Sequence, residues 1–352
     1  MTSDNGPPVG LDLDALTHWL DSNQPGLREG PLAASLITGG RSNLTYRLTD
    51  GVSRWALRRP PLAHTLPTAH DMAREFRILQ GLHGTEVPVA KPVVLCENLE
   101  VIGAPFYVME FVDGVVLDQP HALDELTPAA AARSCDLLVD TLLALHELDP
   151  KHVGLGELGR PDGFLDRQVR RWSKQWGASE TEPRPDYQLL RDALANTVPP
   201  QSAPGIVHGD YRLTNVIYAV DIDRIAAVVD WEMATLGDPL TDVGLLVVYQ
   251  ELSNAGGFVM PTLSVDAGFV TSADMVERYA AGSPRDLSAL TWYIAFGWFK
   301  LAVIAEGIHN RFLQGKTVGP GFEKFGSSVP ILIRSGLDAL ASTGEPHGLS
   351  RQ

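Results

Sequence analysis

At residues 206–217 the chain reads IVHGDYRLTNVI. Two branched apolar residues run into a carboxylate, Asp210, and an amide, Asn215, follows five residues later. Next, VIYAV at 216–220 and IAAVV at 225–229 read as short strands, joined by the polar DIDR at 221–224 and ended by Asp230. A four-residue loop suits a hairpin. In that register Val220 faces Ile225 and Val216 faces Val229, so Asn215 is predicted opposite Asp230, with Asp210 just upstream. Two carboxylates and an amide at one end of a hairpin suit Mg²⁺, which takes hard oxygen ligands, commonly one or two carboxylates plus substrate phosphates. An aspartate not on the metal can accept a proton from an attacking hydroxyl, and phosphoryl transfer needs both parts. Singly, each residue has a plainer reading: Asp210 caps a loop, Asn215 makes a turn, Asp230 ends a strand. The joint spacing H-x-D-x-x-x-x-N, hairpin, Asp is what favours the chemistry.

The rest of the composition bounds this reading. The 352 residues allow one large or two medium domains, and the 44% hydrophobic content supplies a core. A net charge of −15 argues against a nucleic-acid or anionic-membrane partner and would suit a cationic substrate, but acidic chains are common and the charge alone decides nothing. The two cysteines, Cys96 and Cys135, form no C-x-x-C, which points to a reduced compartment without structural zinc. The N-terminus MTSDNGPPVGLDLD has no basic or apolar signal region, so a cytoplasmic location is expected. The apolar run at 290–308 carries Lys300 at its middle and Glu306 near its end, which favours a buried core helix over a membrane span.

Leu13, Leu16 and Leu20 share one face of a predicted helix at 12–22. SLITGGRSNLTYRLTD and SRWALRRPP read as strands, PTAHDMAREFRILQGL as a helix, and PVVLCEN and APFYVMEFVDG as strands. Thr127-Pro128 opens a long helix, and helical patterns recur near 162–176, 186–195, 239–252, 272–281, 285–314 and 321–341. The fold class expected is α+β, with a small β-rich unit over 1–112 carrying one main helix and a mostly helical unit over 113–352.

The first unit holds candidates for nucleotide contacts. Gly39 and Gly40 permit close backbone approach, and Ser42 and Asn43 carry phosphate donors, although a glycine hairpin tip explains the same stretch. Arg58 and Arg59 end a strand, with Arg58 the better phosphate contact and a solvated surface arginine the alternative. Glu75 is off the Met72/Phe76/Leu79 face, yet within reach of an ion pair with Arg58. The backbone of Glu110, Phe111 and Val112 is a natural reader of a purine edge, or simply an edge strand before a turn.

The order of glycine turn, strand-end cation, helix glutamate, MEFVDG, HGDYRLTN and VVDWEMATLGDPLTDVG resembles the aminoglycoside phosphotransferase family, which shares the protein-kinase-like fold with choline kinases. The resemblance spans roughly 30–310 and is most specific over 206–246. It implies a two-lobed fold, with ATP and Mg²⁺ as cofactors and the nucleotide between the lobes. It assigns Asp210 as catalytic base, Asn215 and Asp230 as metal ligands, Arg58 as phosphate contact and Glu75 as its partner. Asp230-Trp231-Glu232 stands where protein kinases have Asp-Phe-Gly, which points to a small hydroxyl-bearing substrate. Asp238 and Asp242 match acidic positions expected to be structural. LRRPP and VVDWEMATLGDPLTDVG look closest to the subgroup of kinase-like domains fused to acyl-CoA dehydrogenases, associated with hydroxylated acyl substrates. The acceptor is therefore aminoglycoside-like or hydroxyacyl.

GKT at 315–317 is not a P-loop, because Asn310 stands where the first glycine belongs. The run Trp292, Tyr293, Phe296, Trp298 and Phe299 either packs the core or lines an acceptor pocket. The rival to an active kinase is a catalytically inactive kinase fold that binds a nucleotide or metabolite.

Overall fold

The structure is a computed structural model that describes residues 8–37, 43–62, 71–118, 122–123, 125–255, 263–317 and 321–342. It divides into two compact units, Met1–Gly114 with Ala226–Glu232, and Val115–Ile225 with Met233–Gln352.

The first unit is built on a five-stranded antiparallel sheet. Its strands are β1 (Ala33–Leu36), β2 (Leu44–Thr49), β3 (Arg54–Arg59), β4 (Pro92–Cys96) and β5 (Phe106–Glu110), in the order β1-β2-β3-β5-β4. The sequence run 35–50, expected as one strand, holds the end of β1 and all of β2. Side chains alternate across the sheet. Tyr46, Leu48, Trp55, Leu57, Phe106 and Val108 form one core cluster with Leu16 and Leu20 of α1 (Leu13–Asn23). Each fully buried leucine there contributes about 1.5–3 kcal/mol. Asp12 caps α1, accepting from the Ala15 amide at 2.9 Å. Ala56 and Arg58 alternate to the other face, where α2 (Met72–Leu82) packs, its Phe76 ring 6.0 Å from that of Tyr107. A short α3 (Leu99–Ile102) precedes β5.

The second unit is mainly helical: α4 (Pro128–Glu147), α5 (Phe164–Ser179), α6 (Pro185–Asn196), α7 (Leu240–Ala255), α8 (Ser272–Gly282), α9 (Leu290–Leu313) and α10 (Phe325–Ala341). Helix α4 starts where Thr127 accepts from the Ala130 amide and proline fills the first turn. Helix α9 packs on both α7 and α10. Its aromatic residues Trp292, Tyr293, Phe296, Trp298 and Phe299 are all buried, so core packing is their role. Trp176 stacks on Tyr187 at 3.8 Å, and Tyr187 on Phe299 at 5.6 Å. Glu306 is fully buried on the same helix, accepting from the Thr181 amide at 2.7 Å and its hydroxyl at 2.6 Å. Among the described residues no helix is long and apolar enough to cross a membrane.

Strand β6 (Gly205–Val207) pairs antiparallel with β9 (Thr235–Gly237), Ile206 opposite Leu236. Strands β7 (Val216–Tyr218) and β8 (Ile225–Val228) follow the HGDYRLTN stretch. The turn after β7 differs from expectation. Ala219 donates its amide to the Arg224 carbonyl at 3.0 Å, and Val220 is 80% exposed, so the turn spans 220–223 and begins one residue early. The apolar Ile222 is the reason: it folds back at φ 54° and is buried, which pulls the turn toward the N-terminus. The register from which Asn215 was read opposite Asp230 is therefore not the one seen at this turn.

Candidate active site

In the first unit three carboxylates surround one guanidinium. Arg58 contacts Glu75 at 2.9 Å, Asp230 at 2.6 Å and Glu232 at 3.9 Å. Strand alternation aims Arg58 at α2, while its neighbour Arg59 turns the other way and donates to the carbonyls of Gly10 and Ile102. Tyr107, opposite Arg58 on β5, donates to Glu75 at 3.0 Å. Burial pushes the Glu75 pKa up, and Arg58, Tyr107 and Asn43 oppose it. Asn43 donates to Glu75 at 3.2 Å and to Glu232 at 3.3 Å. Expected as a phosphate donor, its amide is instead committed to two carboxylates, because buried anions compete for it. Asp230 has φ 69°, a left-handed conformation that aspartate tolerates better than most residues and that recurs where side chains are aimed for function.

In the second unit the HGDYRLTN motif is held from several sides. The Asn215 amide donates to the Asp210 carboxylate at 2.9 Å and to the Asp210 carbonyl at 2.8 Å. That orientation leaves the Asn215 carbonyl oxygen as the atom suited to a cation. Tyr249 of α7 donates its hydroxyl to the other Asp210 oxygen. Arg212 lies 3.5 Å from Asp210 and 5.0 Å over the Tyr249 ring. Below the motif, Asp242 accepts from the amides of His208 at 2.6 Å and Gly209 at 2.8 Å. Gly209 has φ +83°, and a Cβ there would meet the Met233 carbonyl at 2.9 Å, so only glycine fits. Asp242 in turn faces His146 at 3.4 Å, and His146 faces the Tyr279 hydroxyl at 2.8 Å. An ionised Asp242 can only accept, so His146 donates to it and accepts from Tyr279. Burial would raise the Asp242 pKa, but His146 and the Gly209 amide outweigh it and hold the carboxyl low. Asp238 is likewise structural, accepting from Ser202 and, at 2.8 Å, from Tyr293.

The motif reading thus finds Arg58, Glu75 and Asp230 in one cluster and Asp210 and Asn215 in another. Gly39, Gly40 and Ser42 lie outside the described residues. At the end of β5 the amides of Glu110 and Phe111 already donate to the carbonyls of Lys91 and Arg54, and the Glu110 side chain pairs with Lys91 at 3.1 Å. Tyr107, Glu232, Tyr249 and Arg212 have no site role in the sequence reading, and Lys300 enters it as the charge that marks a core helix. The one sequence signal among them is Lys300, a cation in the middle of an apolar run.

Residues 33–264 match the model of the phosphotransferase enzyme family APH. The chain belongs to this family. Acyl-CoA dehydrogenase family member 11 of Rattus norvegicus is 31% identical over 94% of this chain, which spans 43% of that relative. The chain thus covers less than half the length of such relatives. A solved Ralstonia eutropha structure, provisionally assigned as an aminoglycoside phosphotransferase, is 32% identical with a TM-score of 0.82, covering 95% of this chain and 99% of that one. Aminoglycoside phosphotransferase APH(4)-Ia, solved with ADP and hygromycin B, shares the fold at 15% identity and TM-score 0.59, with 89% and 95% covered. Aminoglycoside 2'-phosphotransferase-IIIa, solved with GDP, does so at 13% and 0.58, with 95% and 100% covered. The fold is the kinase-like one of these solved structures, and the matched family is one of phosphotransferase enzymes.

Proposed function

We propose that the chain is an ATP- and Mg²⁺-dependent small-molecule kinase, and that its acceptor is an anionic hydroxyacyl compound rather than a polycationic aminoglycoside. The observation that carries the kinase reading is Asp210, its carboxylate oriented by Asn215 and Tyr249. Asp210 would accept the proton of the acceptor hydroxyl as that oxygen bonds to the γ-phosphorus. The bond to the bridging oxygen breaks, and ADP leaves. Arg58 is assigned to the phosphates, and the main chain at Glu110 to Val112 to the base edge.

The donor set fits a hard divalent ion. Asn215 offers an amide oxygen, and Asp230 belongs to a cluster in which three carboxylates meet one guanidinium. The ion's remaining ligands would be phosphates and water. Bound by Asn215 and Asp230, Mg²⁺ would neutralise phosphate charge.

The acceptor class follows from the charges near Asp210. Arg212 is beside it, and the charges of Arg171 and Arg212 both act on Lys300. Arg171 comes from helix α5, next to the Trp172 ring over which Lys300 lies. Such surroundings attract a carboxylate or phosphate-bearing acceptor and repel a polycation.

The test is nucleotide turnover, with ATP and with GTP, across aminoglycosides, choline-like amines, hydroxyacyl-CoA thioesters and free hydroxy acids. Stimulation by the anionic arms is expected. Stimulation by aminoglycosides alone would overturn the acceptor assignment. Tight nucleotide binding without transfer to any arm would favour the inactive binding protein.

A further inference from the structure

We propose that Lys300 is a positioning residue for phosphoryl transfer: from the middle of α9 it fixes the Gly209 carbonyl and so sets where the Asp210 carboxylate stands. The proposal rests on the catalytic assignment of Asp210 made above.

Lys300 is 6% exposed, between the buried Phe299 and Leu301. An ammonium in such a setting is costly to bury, and a methionine or leucine would satisfy helix packing better. Its contacts explain its presence. The ammonium donates to the Gly209 carbonyl and lies 5.5 Å over the Trp172 ring of α5, a cation–π contact that holds it in place. Burial draws its pKa down, while Asp210 and Asp242 draw it back up.

The target of that hydrogen bond matters. The peptide joining Gly209 to Asp210 is gripped on both edges: its carbonyl by Lys300, and its N–H by the His208 ring at 3.2 Å. The preceding amides are gripped by Asp242. Glycine is the residue whose flanking peptides rotate most freely. Without Lys300 the carbonyl edge loses its restraint, the peptide can rotate about Gly209, and the Asp210 side chain that follows it moves with it. A displacement of 1 Å at a reacting group can lower turnover by about a hundredfold.

The experiment compares full-length wild type, Lys300→Met and Lys300→Arg by three readouts: thermal midpoint, amide hydrogen exchange over 206–213, and kcat with nucleotide KM. For Lys300→Met the expected thermal midpoint is unchanged or higher, since an apolar residue replaces a buried charge. Exchange within the loop should rise by about tenfold, the loss of one hydrogen bond to a charged donor, with α9 unchanged. Turnover should fall by about tenfold to a hundredfold while nucleotide KM stays within about twofold. Lys300→Arg, which keeps a charged donor, should recover part of the turnover. Unchanged loop exchange in Lys300→Met would overturn the proposal, and so would wild-type turnover, or a fall in thermal midpoint that accounts for the lost activity. If the wild type transfers no phosphoryl group, the kinase reading fails, while the exchange comparison still decides whether Lys300 holds the loop.

Discussion

Arg58 and Arg59 are adjacent and chemically identical, yet one is given to carboxylates and the other to backbone carbonyls. Strand alternation alone makes the difference. Arg58 and Glu75 could therefore be picked out of the sequence, one from its place in a strand and the other from its place on a helix. Tyr107 and Glu232 could not, because their partners are far off in sequence and no local period announces them. Glu75 is almost wholly buried, with Arg58 as its charge partner. Arg58→Ala is expected to destabilise the protein by about 3–5 kcal/mol in denaturant unfolding, because it strands a buried carboxylate. A change below about 1 kcal/mol would mean that the pair is solvated and energetically idle.

At the scale of elements, the helices were largely readable, because most bury one face and several start at a recognisable cap, as at Thr127-Pro128. The three-residue strand β9 was not, since it is too short to show a period and is defined by pairing with β6. The turn at 220–223 was displaced for a similar reason: whether Ile222 is buried is decided by tertiary packing. The chain Tyr279–His146–Asp242 links α8 and α4 to the loop at 208–210. Burial holds the His146 pKa below its ordinary 6.5, despite Asp242. The unfolded chain thus binds the His146 proton first as pH falls. Its contribution to stability is complete above about pH 6.5 and is lost as pH falls through the lower folded-state value, by up to about 1.4 kcal/mol per pH unit. Equilibrium unfolding at pH 7.5 and 5.5 should show wild type and His146→Gln closer in stability at the lower pH. An equal gap at both values would show that His146 does not resist protonation.

At the scale of the whole molecule, a net charge of −15 coexists with cations collected near Asp210. Composition revealed the first and concealed the second, since Arg171, Arg212 and Lys300 come from three separate stretches. The family was legible because HGDYRLTN and VVDWE keep their chemistry within short spans. What surrounds those residues, Tyr249 against the Asp210 carboxylate and Lys300 against the Gly209 carbonyl, becomes visible once α7 and α9 are folded around the loop. All of it turns on one carboxylate. The decisive measurement pairs calorimetric nucleotide binding with single-turnover phosphoryl transfer in wild type and Asp210→Asn, both with Mg²⁺ and an acceptor that the wild type uses. Nucleotide affinity should be retained within a few-fold and transfer should fall by about 10²–10⁴-fold, as for loss of a general base. Transfer at the wild-type rate in Asp210→Asn would show that another group takes the proton and that the site lies elsewhere.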